Sequence, residues 1–467
     1  MPIVQEFDLP SLQLRVSPFR SQTSTCIRQV NCDHDMIGAL KKRSGYITYL
    51  GTPDNSKVNS LWNWTQNNGT QLWNYRLSGG TLYYSTQGTG AWTICGNGTF
   101  TNGTYIGHTV LEDTMIIGDG VNATRHTTNG TSFTDTTSAP IAPDFETFQG
   151  RVWAAGTAST AFYCTTGTPT AWTTDDGSVL IPGPGKLSKV FKASDRLVFC
   201  KNSNTMFKYD GYSLVDMATN LGPSSPQSFG EVENFRFYLN RLGFFGFGGN
   251  APEIVSNPIR RQVYNDAGSA IVGTVFNNAP GVAHQYHYYC AVGTVTDDLT
   301  DETINNLVHT YDFQLNEWHN HDFGTLPTAF TTYQDTSGID QMIFGDNNGQ
   351  CYQMAGTALT DNGIAINPIL EYVAHAGRPE LQKKWNYIWL FFNPGCQARV
   401  QVSFADSFIK GKKKWLDLGD VSSGFKEFRF TDEARSRLMF IKTTESSKDS
   451  RFEFYGYAYS YDPIERY

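Results

Sequence analysis

Between Asp195 and Leu214 the chain reads DRLVFCKNSNTMFKYDGYSL, and this pattern, returning along most of the sequence, restricts the fold more than any other feature. Arg196-Leu197-Val198-Phe199-Cys200 is a short β-prone run, and Asn202-Ser203-Asn204 is a polar turn signal. Met206-Phe207-Lys208-Tyr209 supplies a second strand and stops at Asp210-Gly211, a dipeptide that provides the positive φ of a tight turn. Strand, turn, strand, Asp-Gly, strand is one antiparallel meander. Such a unit cannot bury its own faces, so several must stack around an axis or along a solenoid.

The pattern is widely repeated. Leu61-Trp62-Asn63-Trp64 and Leu72-Trp73-Asn74-Tyr75 are near duplicates with aromatics on one face by the period of two, and Asp113 to Gly120 resembles the opening strand of the reference unit. Further copies open at Gly150-Arg151-Val152-Trp153, at Asn240-Arg241-Leu242, at Tyr286-His287-Tyr288 and at Gln341-Met342-Ile343-Phe344. The starts recur at roughly 35 to 50 residues, the interval of propeller blades, and no helical period is sustained. From about residue 368 the strands lengthen, as in Trp385 to Phe392 and Phe452 to Tyr459, which predicts a second, sandwich-like domain.

Composition agrees with an ordered, turn-rich β protein: 17% charged residues against 39% hydrophobic, with 31 Phe, 24 Tyr, 10 Trp and 44 Gly. A net charge of −8 excludes a general nucleic-acid binder held by a large positive field. The eight Cys lack CxxC spacing and several sit in apolar runs, so reduced, buried thiols are expected. The opening MPIVQEFDLPSLQLRVSPF lacks the features of a signal peptide, and no stretch approaches the length of an apolar transmembrane segment. Sequons at Asn63, Asn68, Asn97, Asn102, Asn122 and Asn129 are read as turns; four are Asn-Gly-Thr.

The expected fold is all-β: residues 1–45 an N-terminal arm and first strand, 46–360 a β-propeller of six or seven blades, 361–467 a C-terminal β-sandwich. The arm is of a kind that lies on a neighbouring subunit. Neither a metal nor any other cofactor is expected. His284, His287 and Cys290 have HxxHxxC spacing, but residues three apart on a strand diverge. His319 and His321 share a strand face, with no third ligand evident. Glu112-Asp113 and Asp175-Asp176 are read as turn carboxylates, and no nucleophile elbow, P-loop or HExxH is present, so no enzyme is expected. Two basic patches, Lys41-Lys42-Arg43 and Lys412-Lys413-Lys414, are candidate contacts with a partner or with DNA phosphates; otherwise they are a solvated edge and a hairpin tip.

Several motifs resemble those of tailed-phage virion proteins: Gly38-Ala39-Leu40-Lys41-Lys42-Arg43-Ser44-Gly45, the GRVW and DRLVF openings at Arg151 and Arg196, and the Tyr209-Asp210-Gly211 and Tyr311-Asp312 to Asn316-Glu317-Trp318 endings. The ending Gly345-Asp346-Asn347-Asn348-Gly349-Gln350-Cys351-Tyr352 and the lead-in Lys383-Lys384-Trp385 join them. The class they resemble is the β-propeller tail hub, or nozzle, of short-tailed phages. That resemblance implies a structural virion protein, assembled in the host cytoplasm into a homo-hexameric ring. The ring would sit beneath the portal and adaptor proteins, carry tail fibres or spikes, and pass genomic DNA during ejection without sequence-specific binding. The alternative expectation is a propeller that binds a carbohydrate or receptor at the tail tip through exposed aromatics, with Trp62 and Trp73 the first to test; a polysaccharide depolymerase is a third.

Overall fold

The computed structural model describes residues 3–7, 9, 12–14, 24–35, 38–66, 72–86, 91–172, 177–265, 268–271, 273–296, 303–335, 337–375, 379–406, 413–422, 424–431 and 434–464. Five strands come first: β1 (Ile3–Glu6), β2 (Ser24–Val30), β3 (Cys32–His34), β4 (Leu40–Lys42) and β5 (Gly45–Tyr49).

Six four-stranded antiparallel sheets and one six-stranded sheet then follow one another. Six occupy residues 58–99, 107–135, 144–180, 187–218, 230–254 and 281–322, each a meander in sequence order. The seventh has three strands from residues 329–355 and then β5, which pairs antiparallel with Cys351–Ala355 and, on its other side, parallel with the short strand Thr360–Asp361, itself paired to Ile364–Ala365. The Ala329–Gln334 strand of this last sheet packs on the Val58–Thr65 strand of the first. The arrangement is all-β and propeller-like.

The reference unit forms the strands its pattern predicts, Arg196–Lys201, Met206–Tyr209 and Leu214–Ala218. Asp210 caps its turn by accepting hydrogen bonds from the amides of Tyr212 (2.9 Å) and Ser213 (2.7 Å). Asp119, Asp312 and Asp346 do the same in the second, sixth and seventh sheets, which gives the recurring Asp endings a local cause: a short acceptor satisfies turn amides that no strand can reach. The duplicated aromatic strands pair with each other, Trp62 opposite Tyr75 and Trp64 opposite Trp73, with both ring pairs stacked. They face the core, and Trp62 and Trp73 are both buried. The expectation that these two rings offer a sugar-stacking surface therefore fails, because their strand face is the one covered by packing.

Close approach requires glycine at the seam between seventh and first sheets. A Cβ on Gly345 would lie 2.6 Å from the Val58 Cβ. The same seam is tied by Val58 N–H to Asp346 O (3.0 Å) and Thr328 Oγ1 to Val58 O (2.7 Å).

Apart from a two-stranded pairing of Tyr264–Asn265 with Gly268–Ser269, the remaining strands form two further sheets around one core. One contains β1, β3, β4, Glu453–Ile464, Gln382–Phe392, Phe425–Arg429 and Arg435–Ser436; the other runs β2, Ile369–Ala374, Leu438–Thr444, Ala398–Ala405, Leu416–Val421. Within Gln382–Phe392 the inward residues change parity, from Lys383 and Trp385 to Ile388, Leu390 and Phe392, because the register slips between Trp385 and Tyr387. That is a β-bulge: one extra residue restores the apolar side to the core. The N-terminal arm belongs to this unit. β1 pairs with Tyr457–Ser460 and β2 with Ile369–Ala374, and Cys26, Cys32 and Leu40 enter the shared core. The described strands of the arm therefore pair within this chain, where their apolar side chains gain by burial.

All eight Cys are free and buried, and burial raises Cys26 to about 12. Among the sequons, Asn97 and Asn129 take turn-like roles, with φ of 50° at Asn97 and Asn129 Oδ1 accepting from Thr131 and Ser132. Asn63 instead sits within a strand, its amide bonded to Thr332 O; Asn68 lies outside the described residues. Among the described residues no helix is long and apolar enough to cross a membrane.

Candidate functional site at the junction of the two units

The segment from β2 to β4 passes between the two-sheet unit and the sixth and seventh sheets, and polar residues concentrate there. Asn31, between β2 and β3, adopts φ of 58° and connects four chain segments. Its N–H donates to Asn320 O (2.8 Å), its Oδ1 accepts from Asp322 N–H (2.9 Å) and Arg43 Nε (2.9 Å), and its Nδ2 donates to Asn367 O (3.1 Å). Arg43 grips Asp361 with both arms of its fork, Nη1 to Oδ1 at 2.9 Å and Nη2 to Oδ2 at 2.5 Å. Nη2 also donates to Asp322 O (2.6 Å), and the guanidinium lies 4.7 Å above the Phe323 ring. This is the planar, bidentate pairing that suits arginine to a buried carboxylate. A cavity of about 360 Å³ adjoins it, lined by Arg28, Asn31, Tyr46, Asp322 and Asp361 among others.

The basic triplet is therefore divided among three internal carboxylate clusters. Lys41 pairs with Asp35 (2.7 Å) and Glu453 (2.8 Å), bonds that raise its pKa. Lys42 reaches Glu445 at 3.1 Å with both side chains fully buried, and Arg43 is buried on Asp361. The solvated-edge reading of this triplet fails, since β4 pairs with the Glu453–Ile464 strand and is covered. In the second patch Lys413 pairs with Glu371 and lies over Phe440, Lys414 is exposed, and Lys412 lies outside the described residues. The structure does not bring the two patches into one basic surface.

A second polar array lies alongside. On the Glu317–Asp322 strand, alternate residues Glu317, His319 and His321 share one face, while Trp318 and Asn320 point the other way toward Val255 O and Gln262. Each member of the first set meets a residue of the N-terminal segment: Glu317 Oε2 and His34 Nδ1 are 2.6 Å apart, His319 Nδ1 and Gln29 Nε2 2.5 Å, His321 Nε2 and Asp33 Oδ1 2.7 Å. Burial alone would raise Asp33, but His321 and the neighbouring imidazoles hold it well below the usual carboxylate range. Burial pushes His319 down to about 3, with Asp33 opposing. Burial also disfavours the His287 imidazolium, yet Asp312, 3.3 Å away, outweighs it and raises that group.

His284 and His287 do not lie on one strand. They face each other across a hairpin and go to separate partners, His284 to Asp340 O and His287 to Asp312, while Cys290 is buried in the core. Among the described residues, the group able to hold a metal is His34, Glu317 and His319, whose ligand atoms all lie within 4.8 Å of one another. Sequence reasoning found His319 and missed the other two. The Glu317-x-His319 alternation was visible; His34 was not, because nothing local links it to a strand that begins 283 residues later (317 − 34). Asp175 and Asp176 lie outside the described residues.

The class that these sheets define is an all-β, propeller-like chain with an attached two-sheet unit. No family model matches it, and no curated protein matches it. Among solved structures it is similar to the extracellular domain of the putative one-component system BT4673 from B. thetaiotaomicron, at 8% identity over 87% of this chain and 61% of that one, with a TM-score of 0.47. It is also similar to BamB from Moraxella catarrhalis, at 11% identity over 71% of this chain and 97% of that one, TM-score 0.41. YCF48 bound to D1 peptide is 9% identical over 66% of this chain and 96% of that one, TM-score 0.43. At such scores the likeness carries nothing about function.

Proposed function

We propose that the chain is a structural component of a phage tail, a hub or nozzle whose copies form a six-membered ring around the DNA exit path. In this reading the seven sheets are the blades of one propeller, the two-sheet unit is a β-sandwich, and no residue performs catalysis. DNA passes along the ring axis without base-specific contacts, portal-adaptor proteins sit above, and fibres or spikes attach around the outside. The protein is assembled in the host cytoplasm and resides in the virion.

The observation that supports the proposal is the pairing of early strands with late ones. β5 is inserted into the seventh sheet between Cys351–Ala355 and Thr360–Asp361, and β1 pairs with the final described strand. A conduit loaded by DNA under pressure needs a body that resists opening, and pairings between strands far apart in the chain favour one. The motif resemblance to tail hubs supplies the class. The burial of Trp62 and Trp73 removes the support for a sugar-binding alternative.

Class averaging of the protein in its phage particle by electron microscopy tests the proposal. Six copies on the particle axis below the portal are expected. Copies at the periphery, or single propellers borne on fibres, would overturn it.

A further inference from the structure

We infer that His34, Glu317 and His319 form a binding site for one divalent transition cation of the zinc class, which staples the sixth sheet to the two-sheet unit. The inference is independent of the tail reading.

Three observations carry it. The donor set is two imidazoles and one carboxylate, a combination that holds zinc in three-ligand sites with a fourth position for water. The ligand atoms already lie within 4.8 Å of one another. Zinc bonds of about 2.0–2.2 Å place ligands about 3.3 Å apart, so seating the ion requires side-chain shifts on the order of an ångström.

Polar atoms at the cluster are also orphaned. Both ring nitrogens of His34, Nε2 of His319 and Oε2 of Glu317 are buried without a hydrogen-bond partner, although Oε2 lies only 2.6 Å from His34 Nδ1. The His34 side chain is 4% exposed and His319 is fully buried. Buried orphans of this kind are costly, and a shared cation satisfies them together. Glu317, at 23% side-chain exposure, leaves a route for the ion.

The third observation is the neighbour that sets the imidazole. Gln29 Nε2 donates to Cys32 O (3.0 Å) and lies 2.5 Å from His319 Nδ1, while Gln29 Oε1 has no partner. Turning the amide half a revolution puts Oε1 on Nδ1, which then carries the proton and leaves the Nε2 lone pair for the metal. The exchange gives up the bond to Cys32 O and sets Oε1 against that carbonyl, a cost that the metal bond to His319 must offset. Because His34 follows strands of the two-sheet unit and Glu317 and His319 belong to the sixth sheet, the ion would cross-link the two.

The test uses full-length protein stripped with a chelator and titrated with zinc chloride. We expect one zinc per chain after gel filtration and a higher thermal midpoint on adding zinc. Glu317→Gln should weaken binding at least about tenfold and His319→Ala should abolish it. His284→Ala, from the spacing that most resembles a metal motif, should leave one zinc bound. Cobalt(II) on the unmutated chain gives a readout that does not depend on a variant folding: d–d bands of tetrahedral nitrogen and oxygen ligation are expected. No zinc retained above buffer, no midpoint shift, retention unchanged in both ligand variants, or cobalt bands of thiolate ligation would each overturn the site.

Discussion

The seven consecutive sheets and the two-sheet unit are built from similar strands but are specified in opposite ways. Within the first six sheets each strand pairs with its neighbour in sequence, so short turns set the register. In the two-sheet unit β1 to β4 complete sheets whose other strands lie near the opposite end of the chain. The first kind of contact closes small loops; the second must bring distant segments together before any contact rewards it. The chain meets this requirement at the junction, where Asn31 and Arg43 bond both sides at once. Local grammar is enough for a sheet, whereas joining two units takes buried charge and polar pairs placed far apart in sequence.

The largest test of this contrast is deletion of residues 1–44, which removes β1 to β4 and spares β5. The two-sheet core loses Cys26, Cys32 and Leu40, and both its sheets lose strands. Limited proteolysis should then cleave rapidly within residues 365–464 and leave the seven sheets resistant. Equal protection of both regions would show that the two-sheet unit is as locally specified as the rest.

Arg43→Ala comes next. Removing the guanidinium leaves the Asp361 carboxylate buried without its partner, which costs about 3–5 kcal/mol, read from denaturant midpoints. The paired replacement Arg43→Met with Asp361→Leu should recover most of that loss, because a buried ion pair is worth little more than apolar residues of similar volume. Failure to recover would mean that the bonds to Asp322 O and Asn31 carry the junction instead.

These two regions also differ in what their sequence discloses. The strands of the reference unit, its Asp210 turn and the pairing of the Trp-rich duplicates follow from alternation and turn residues alone, because hairpin partners are adjacent. The placement of β1 to β4 does not follow, since an extended apolar segment carries no mark of the edge that it joins. Lys42 and Arg43 look like a solvated edge for the same reason: their carboxylates, Glu445 and Asp361, are hundreds of residues downstream. Of the three candidate metal ligands, only Glu317 and His319, which share one strand, lie within reach of a sequence pattern, and His34 does not. The parity change in Gln382–Phe392 was equally hidden, because a bulge breaks the very period by which faces are assigned.

Gly345→Ala probes the seam where the seventh sheet meets the first. Its Cβ would sit 2.6 Å from that of Val58, and both atoms belong to paired strands that have little room to shift. Overpacking there should cost about 1–3 kcal/mol. A neutral result would mean that the seam is looser than the junction and that the ring tolerates opening at that point.

The smallest effect is one of pH. His309, in the sixth sheet, is fully buried; its Nδ1 meets Asn320 Oδ1 at 3.0 Å, Asn320 in turn bonds Gln262, and the ring packs edge-on against Phe244 and Trp318. Burial depresses its pKa to about 3, and the bond to Asn320 only partly opposes this. The unfolded value is about 6.5, so between these limits the unfolded chain takes up a proton that the fold refuses. Stability from this group is therefore intact above about pH 6.5 and falls by about 1.4 kcal/mol for each unit below it, reaching that loss near pH 5.5. His309→Gln removes the titration. Between pH 7.5 and 5.5 the variant should lose about 1.4 kcal/mol less than the unmodified chain, whatever its offset at neutral pH. If both lose the same amount, acid sensitivity belongs to the histidine and carboxylate array at the junction, and the contrast between apolar sheets and a charged seam becomes sharper.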